Sequence, residues 1–173
     1  RSVANDRPRR EEHEGPSVLS SAQRRMCYHS HLSEGSAAYN FCIILRPATD
    51  LNFSLTALRR ALDQVVDRHE ILRTRYRAGS AGVPEQIIET YLSPRITEVD
   101  LELSATDRLE DVLDEVACQA RDEPFNLETD TPLRALVVRN GSIVAAVILV
   151  LPHIAGDGGS FGIVLADLER AYG

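Results

Sequence analysis

The chain has 173 residues, is 43% hydrophobic and 26% charged, and carries a formal net charge of −7. These values fit one globular domain and exclude collagen-like, coiled-coil and wholly disordered chains. All nineteen basic residues are Arg, but the acidic balance has the wrong sign for a phosphate-seeking surface, so no nucleic-acid partner is expected.

Residues 1–15 hold four basic and four acidic side chains, with only Val3 and Ala4 as apolar residues. They are expected to form a disordered leader or linker, with the globular part starting at Pro16. The chain opens on Arg1 rather than Met, which reads as a segment of a longer protein. Ser20 or Ser21 is placed to cap a helix running through Gln23 and Met26 towards Leu32, with Leu19 as its hydrophobic staple. Residues 39–46 (YNFCIILR) read as a buried strand. Ser54 caps a second helix, in which Leu55, Leu58, Leu62, Val65 and Val66 form an amphipathic stripe. Residues 71–77 read as a strand, 79–84 (GSAGVP) as a turn, and 86–90 and 96–101 as further short strands.

A third helix is expected over residues 107–122, with Leu109, Val112, Leu113, Val116 and Ala120 facing inward. It lies in an acidic stretch, residues 98–130, with twelve acids against two arginines. A solvated helix face explains that charge better than an acidic docking surface. Strands over 133–139 and 143–151 are joined by Asn140-Gly141, the preferred pair for a two-residue hairpin turn. A polar loop, HIAGDGGS (153–160), leads into a last helix with Phe161, Val164, Leu165 and Leu168 at helical spacing. The order of elements gives an α+β fold, a mixed α/β sandwich.

The apolar run at 143–151 is far short of the roughly 20 residues that span a bilayer, so no membrane contact is expected. Cys27, Cys42 and Cys118 form no C-x-x-C pair, and read as reduced thiols of a cytoplasmic protein, buried as small hydrophobes. His13, His29 and His31 read as surface residues and His69 as structural. His153 differs. It follows a nearly all-apolar strand and opens a loop containing three glycines and Asp157. An imidazole held at the end of a buried strand is rigid and partly desolvated, which suits general-base work near neutral pH. Asp157 is placed to orient it or to hold the loop through an arginine, and N–H groups at the next helix start are placed for an oxyanion. One His and one Asp do not make a zinc site, and no G-x-S-x-G nucleophile elbow occurs.

Four segments, in order, resemble the motifs of one family. LSSAQRRM (19–26) is similar to its first motif and is followed by Tyr39-Asn40, RHEILRTRY (68–76) to its second, and PFNLETDTPLR (124–134) to its lead-in to the central strands. LPHIAGDGGS (151–160) is similar to the active-site motif, usually written HHxxxDG. Over residues 16–173 the chain thus resembles the N-terminal part of the condensation domain of nonribosomal peptide synthetases, among the chloramphenicol-acetyltransferase-like acyltransferases.

The resemblance implies one such lobe, a mixed sheet with helices packed on it, with the C-terminal lobe absent from this chain. It implies that His153 positions or deprotonates an acceptor amine, which attacks an upstream acyl or peptidyl thioester to form an amide. Both substrates would ride on phosphopantetheine arms of carrier proteins, alongside the adenylation domains of the same assembly line, with no cofactor bound directly. Asp157 would be mainly structural, with Arg68 a candidate partner, and Gly158 would keep the loop tight. Pro152 stands where the motif has its first histidine, a structural position. Two other readings stay open: a degenerate, condensation-like recruitment module, and a related acyltransferase with an alcohol acceptor. An isolated lobe is expected to be inactive and, with an apolar face exposed, to self-associate.

Overall fold

The computed structural model describes residues 17–32, 37–48, 53–79 and 82–173, without the side chains of residues 17–18 and 29–32. The expected leader and His13 lie outside the described residues, as do the side chains of His29 and His31. The strands are β1 (Ser17–Val18), β2 (Asn40–Leu45), β3 (Thr74–Ala78), β4 (Pro84–Ile88), β5 (Arg95–Asp100), β6 (Arg134–Asn140) and β7 (Ile143–Pro152). The α-helices are α1 (Ser21–Leu32), α2 (Leu55–Arg68), α3 (Leu109–Asp122) and α4 (Gly158–Tyr172).

The central sheet runs β2-β7-β6-β5, with β7 antiparallel to both neighbours and β5 parallel to β6. A strand buried on both faces reads as an unbroken apolar run, and β7 is one. Its Val147, Leu149 and Leu151 join the core beneath α2 and α4, whereas Ala146, Ile148 and Val150 join a second core with Leu113, Ala117 and Ala120 of α3. Helices therefore cover both faces of a mixed sheet, the sandwich that the order of elements predicts. Leu62, Val65 and Val66 of α2 are at most 1% exposed; complete burial of each such side chain stabilises by roughly 1.5–3 kcal/mol. A smaller antiparallel sheet, β1-β4-β3, lies alongside.

Several boundaries differ from expectation for local reasons. Residues 71–73 belong to a 3₁₀ turn, Glu70–Arg73, not to the strand expected over 71–77. The Thr74 hydroxyl donates to the Glu70 carbonyl at 2.7 Å and Leu72 N–H to the His69 carbonyl at 2.9 Å, which holds that turn shut. Strand β4 begins at Pro84, two residues before the expected start, because a first strand position tolerates a missing N–H. The β6–β7 hairpin turns on Gly141 and Ser142, one residue later than expected: Asn140 is still paired, with Ile143, and Gly141 sits at φ +61°. Helix α3 starts at Leu109, since Asp107 accepts from Ser104 N–H at 2.7 Å in a turn of its own.

The cap on α1 follows expectation and is reciprocal. Gln23 N–H donates to Ser20 Oγ at 3.2 Å, and Ser20 N–H to Gln23 Oε1 at 3.0 Å. Leu19 is buried beside it. Of the thiols, Cys27 is buried, and its burial pushes its pKa up to about 11. Cys42 is half-buried and Cys118 is exposed, so the expectation of buried thiols fails at Cys118, which lies on the solvent side of α3. The α3 acids at 110, 111, 114, 115 and 122 are likewise exposed, as a solvated face requires. No helix among the described residues is long and apolar enough to cross a membrane.

Candidate active site

The β2–β7 ladder delivers His153 to its place. Residues 40–45 of β2 pair in register with 152–147 of β7, so Asn40 lies opposite Pro152 and Phe41 opposite Leu151. Pro152 ends β7 at φ −78°, a value its ring fixes in any case, and is buried. The chain then turns through a short 3₁₀ segment, His153–Ala155, whose Ile154 and Ala155 are buried while His153 is exposed. The imidazole is therefore solvent-facing in this chain, not partly desolvated as the sequence suggested. It is held nonetheless. The Phe41 ring packs on it with centroids 5.0 Å apart, and Phe41 packs on Phe161 of α4 at 4.8 Å. Sequence reasoning missed Phe41, because its nearness to the loop depends on the β2–β7 register.

A small cleft opens beside His153. Pro152, His153 and Ile154 form one side, Tyr39 and Asn40 another, and Met26, Phe125 and Leu127 the apolar remainder. The segments that bear the motif resemblance, at 19–26, 124–134 and 151–160, thus meet at one place. Asn40 fastens the wall, its Nδ2 donating to the carbonyls of Arg121 and Glu123 at 3.0 Å each, at the end of α3.

Asp157 is the N-cap of α4. Its Oδ1 accepts from Ser160 N–H at 2.9 Å and from Ser160 Oγ–H at 2.8 Å. The backbone bond, then the hydroxyl, hold its carboxyl below the usual aspartate range. Among the described residues Asp157 bonds neither His153 nor an arginine. The expected Arg68–Asp157 pair is not formed: Arg68 Nε lies 2.9 Å from Asp167 Oδ2 instead. The cap also engages the Ser160 N–H, so the start of α4 is less open to an oxyanion than the sequence suggested. A Cβ at Gly158 would meet nothing within 4 Å, and Gly158 has no positive φ. The loop itself does not need glycine there.

Arg68 belongs to a separate cluster. Asp167, nearly buried on α4, binds His69 Nε2 at 2.8 Å, Arg68 Nε at 2.9 Å and Arg170 at 2.8 Å. Burial resists ionisation of the Asp167 carboxyl, but the His69 hydrogen bond and the charges of Arg68, His69 and Arg170 outweigh it, and the pKa is lowered. This cluster ties the end of α2 to α4 and gives His69 the structural role its sequence position suggested.

The mixed sheet with helices on both faces and a histidine loop leaving β7 is the chloramphenicol-acetyltransferase-like fold that the motif resemblance implies. Residues 13–173 match the condensation-domain family, and the chain belongs to it. Curated relatives include nonribosomal peptide synthetases. The chain is 33% identical over 176 residues to chondramide synthase of Chondromyces crocatus, covering 99% of this chain and 4% of that one. It is 33% identical over 161 residues to phosphinothricin tripeptide synthetase of Streptomyces viridochromogenes, covering 93% and 14%. Among solved structures, the starter condensation domain of rhizomide synthetase aligns with TM-score 0.74 at 19% identity, over 91% of this chain and 37% of that one. The X-domain in its complex with OxyB from teicoplanin biosynthesis aligns with TM-score 0.73 at 28% identity, over 91% and 32%. The chain thus spans a small fraction of the length of its curated relatives.

Proposed function

We propose that residues 16–173 form the N-terminal lobe of a condensation domain, and that the parent synthetase uses it to form amide bonds. In this reading His153 positions the acceptor α-amine and takes a proton from it as its nitrogen attacks the donor thioester carbonyl. The C–N bond forms, the C–S bond breaks, and the proton passes to the departing thiolate. Both reactants arrive on phosphopantetheine arms of carrier proteins loaded by adenylation domains, and the lobe binds no cofactor of its own. Tethering converts the encounter into a positioned one, the source of much of the rate gain; an acid–base group adds typically ~10²–10⁴-fold.

The observation that carries this reading is the position of His153: it is exposed at the end of the central strand, braced by Phe41, at the head of the H-x-x-x-D-G loop. Asp157 supports the loop by capping α4, and Pro152 supports it by ending β7. Gly158, which the fold leaves uncrowded, gives an incoming thioester close access to the backbone. Arg68 acts at a distance, by holding α4 through Asp167. The second lobe completes the active enzyme.

The experiment offers the parent synthetase an acceptor carrier protein loaded with an aminoacyl group and, separately, with its hydroxyacyl counterpart. Amide product from the first is expected. Ester formation alone would move the chain to the alcohol-accepting acyltransferases. A recruitment module is favoured by one observation, the 28% identity to an X-domain solved with OxyB. No product from either acceptor, together with stable binding of a tailoring enzyme, would replace the first reading with that one.

A further inference from the structure

The cleft beside His153 contains an amide whose donor end is already engaged. Asn40 Nδ2 donates to two carbonyls, of Arg121 and Glu123, at 3.0 Å each. A carbonyl accepts and cannot donate, so the amide has one permitted orientation; flipped, Oδ1 would face two acceptors. Oδ1 is left with no protein donor among the described residues.

Met26, Phe125, Leu127, Pro152 and Ile154 make most of the surrounding wall apolar, Tyr39 and His153 are its other polar members, and no carboxylate lines it. An ammonium brought against such a wall would lose water without gaining a counter-charge, whereas a neutral N–H loses little and gains an acceptor. We propose that Asn40 Oδ1 accepts a hydrogen bond from a secondary amide N–H of the thioester substrate, making Asn40 a substrate-binding residue. The amide is either one in the pantetheine arm or the one nearest the thioester in a peptidyl group. The proposal rests on the condensation reaction described above. It gives the two ends of one side chain separate tasks: Nδ2 pins β2 to the end of α3, and Oδ1 fixes the substrate relative to His153.

The test uses the parent synthetase with dipeptidyl pantetheine thioesters in which one N–H at a time is replaced by an ester oxygen. One set of analogues alters the arm and another the peptide. In the wild type, one replacement is expected to lower kcat/KM about fivefold, and in Asn40→Ala the same replacement to cost under about twofold. Loss of the structural pin alone would slow amide and ester substrates equally and preserve the ratio. If Asn40→Ala proves insoluble, Asn40→Ser, which keeps a donor near the α3 carbonyls, carries the same comparison. A wild type indifferent to every replacement, or a variant with undiminished discrimination, overturns the proposal. His153→Ala assayed alongside separates the two ideas: full activity there would remove the condensation reading itself, whereas lost activity leaves only Asn40 in question.

Discussion

Helix α4 joins two histidine–aspartate sets built in opposite ways. At its N-terminus His153 and Asp157 share a five-residue loop yet do not bond, and both are exposed. Ten residues further on, Asp167 is nearly buried and holds His69 at 2.8 Å with two arginines around it. The bonded, sheltered pair is structural, because its polar groups satisfy one another and little is left for a ligand. The unbonded pair leaves the imidazole free and gives the carboxylate to the helix start. On the reading proposed above, the motif's histidine and aspartate act without touching: Asp157 caps the helix that follows the loop presenting His153.

Substitutions should separate the two sets. At the buried set, Asp167→Asn is expected to cost about 1–3 kcal/mol of stability, since it strips partners from His69 and weakens the α2–α4 tie. A lowered melting temperature with no change in the loop around His153 would be seen by thermal denaturation and NMR; an unchanged melting temperature would show that the cluster is ornamental. The pH dependence has a definite sign. Because the folded Asp167 pKa is lowered, its contribution is complete above the unfolded carboxylate range and is lost as pH falls through the folded value. Acid titration of stability should therefore be shallower in Asp167→Asn than in the wild type.

At the exposed set the stability effects are smaller. Asp157→Ala removes the α4 cap and should lower the melting temperature, by less than the loss at Asp167; equal losses would erase the distinction between the two sets. Gly158→Ala is expected to leave stability within about 0.5 kcal/mol of wild type, since the new methyl meets nothing within 4 Å. Its effect should appear in condensation by the parent synthetase, as a lower kcat/KM. A Gly158→Ala enzyme of full activity would show that the open space beside the loop is not used by substrate.

The legible parts of this molecule were those with a strong period or a known local chemistry. Leu58, Leu62, Val65 and Val66 announce α2, and the apolar run of β7 announces a buried strand. Ser20, Gln23 and Leu19 announced the α1 start. His153 stood out because an apolar strand ran directly into a glycine-rich loop. What stayed hidden depended on register and on long-range partners. Phe41 and Asn40 reach the site only because β2 pairs with β7 from residue 40 opposite 152, and no local pattern encodes that pairing. Arg68 and Asp157 both lie in motif segments, which makes them candidates for each other, whereas Asp167, ten residues downstream of Asp157, lies in no recognised motif and is the actual partner. Pro84 masked the start of β4, since proline argues against a strand interior but not against its first residue.

The central claim is that His153 supplies chemistry and the Asp167 cluster supplies structure. The direct measurement is single-turnover amide formation between loaded carrier proteins by the parent synthetase carrying His153→Ala, paired with its thermal denaturation. The account predicts a rate lower by about 10²–10⁴-fold with an unchanged melting temperature. Undiminished amide formation, or a rate loss that merely follows unfolding, would contradict it.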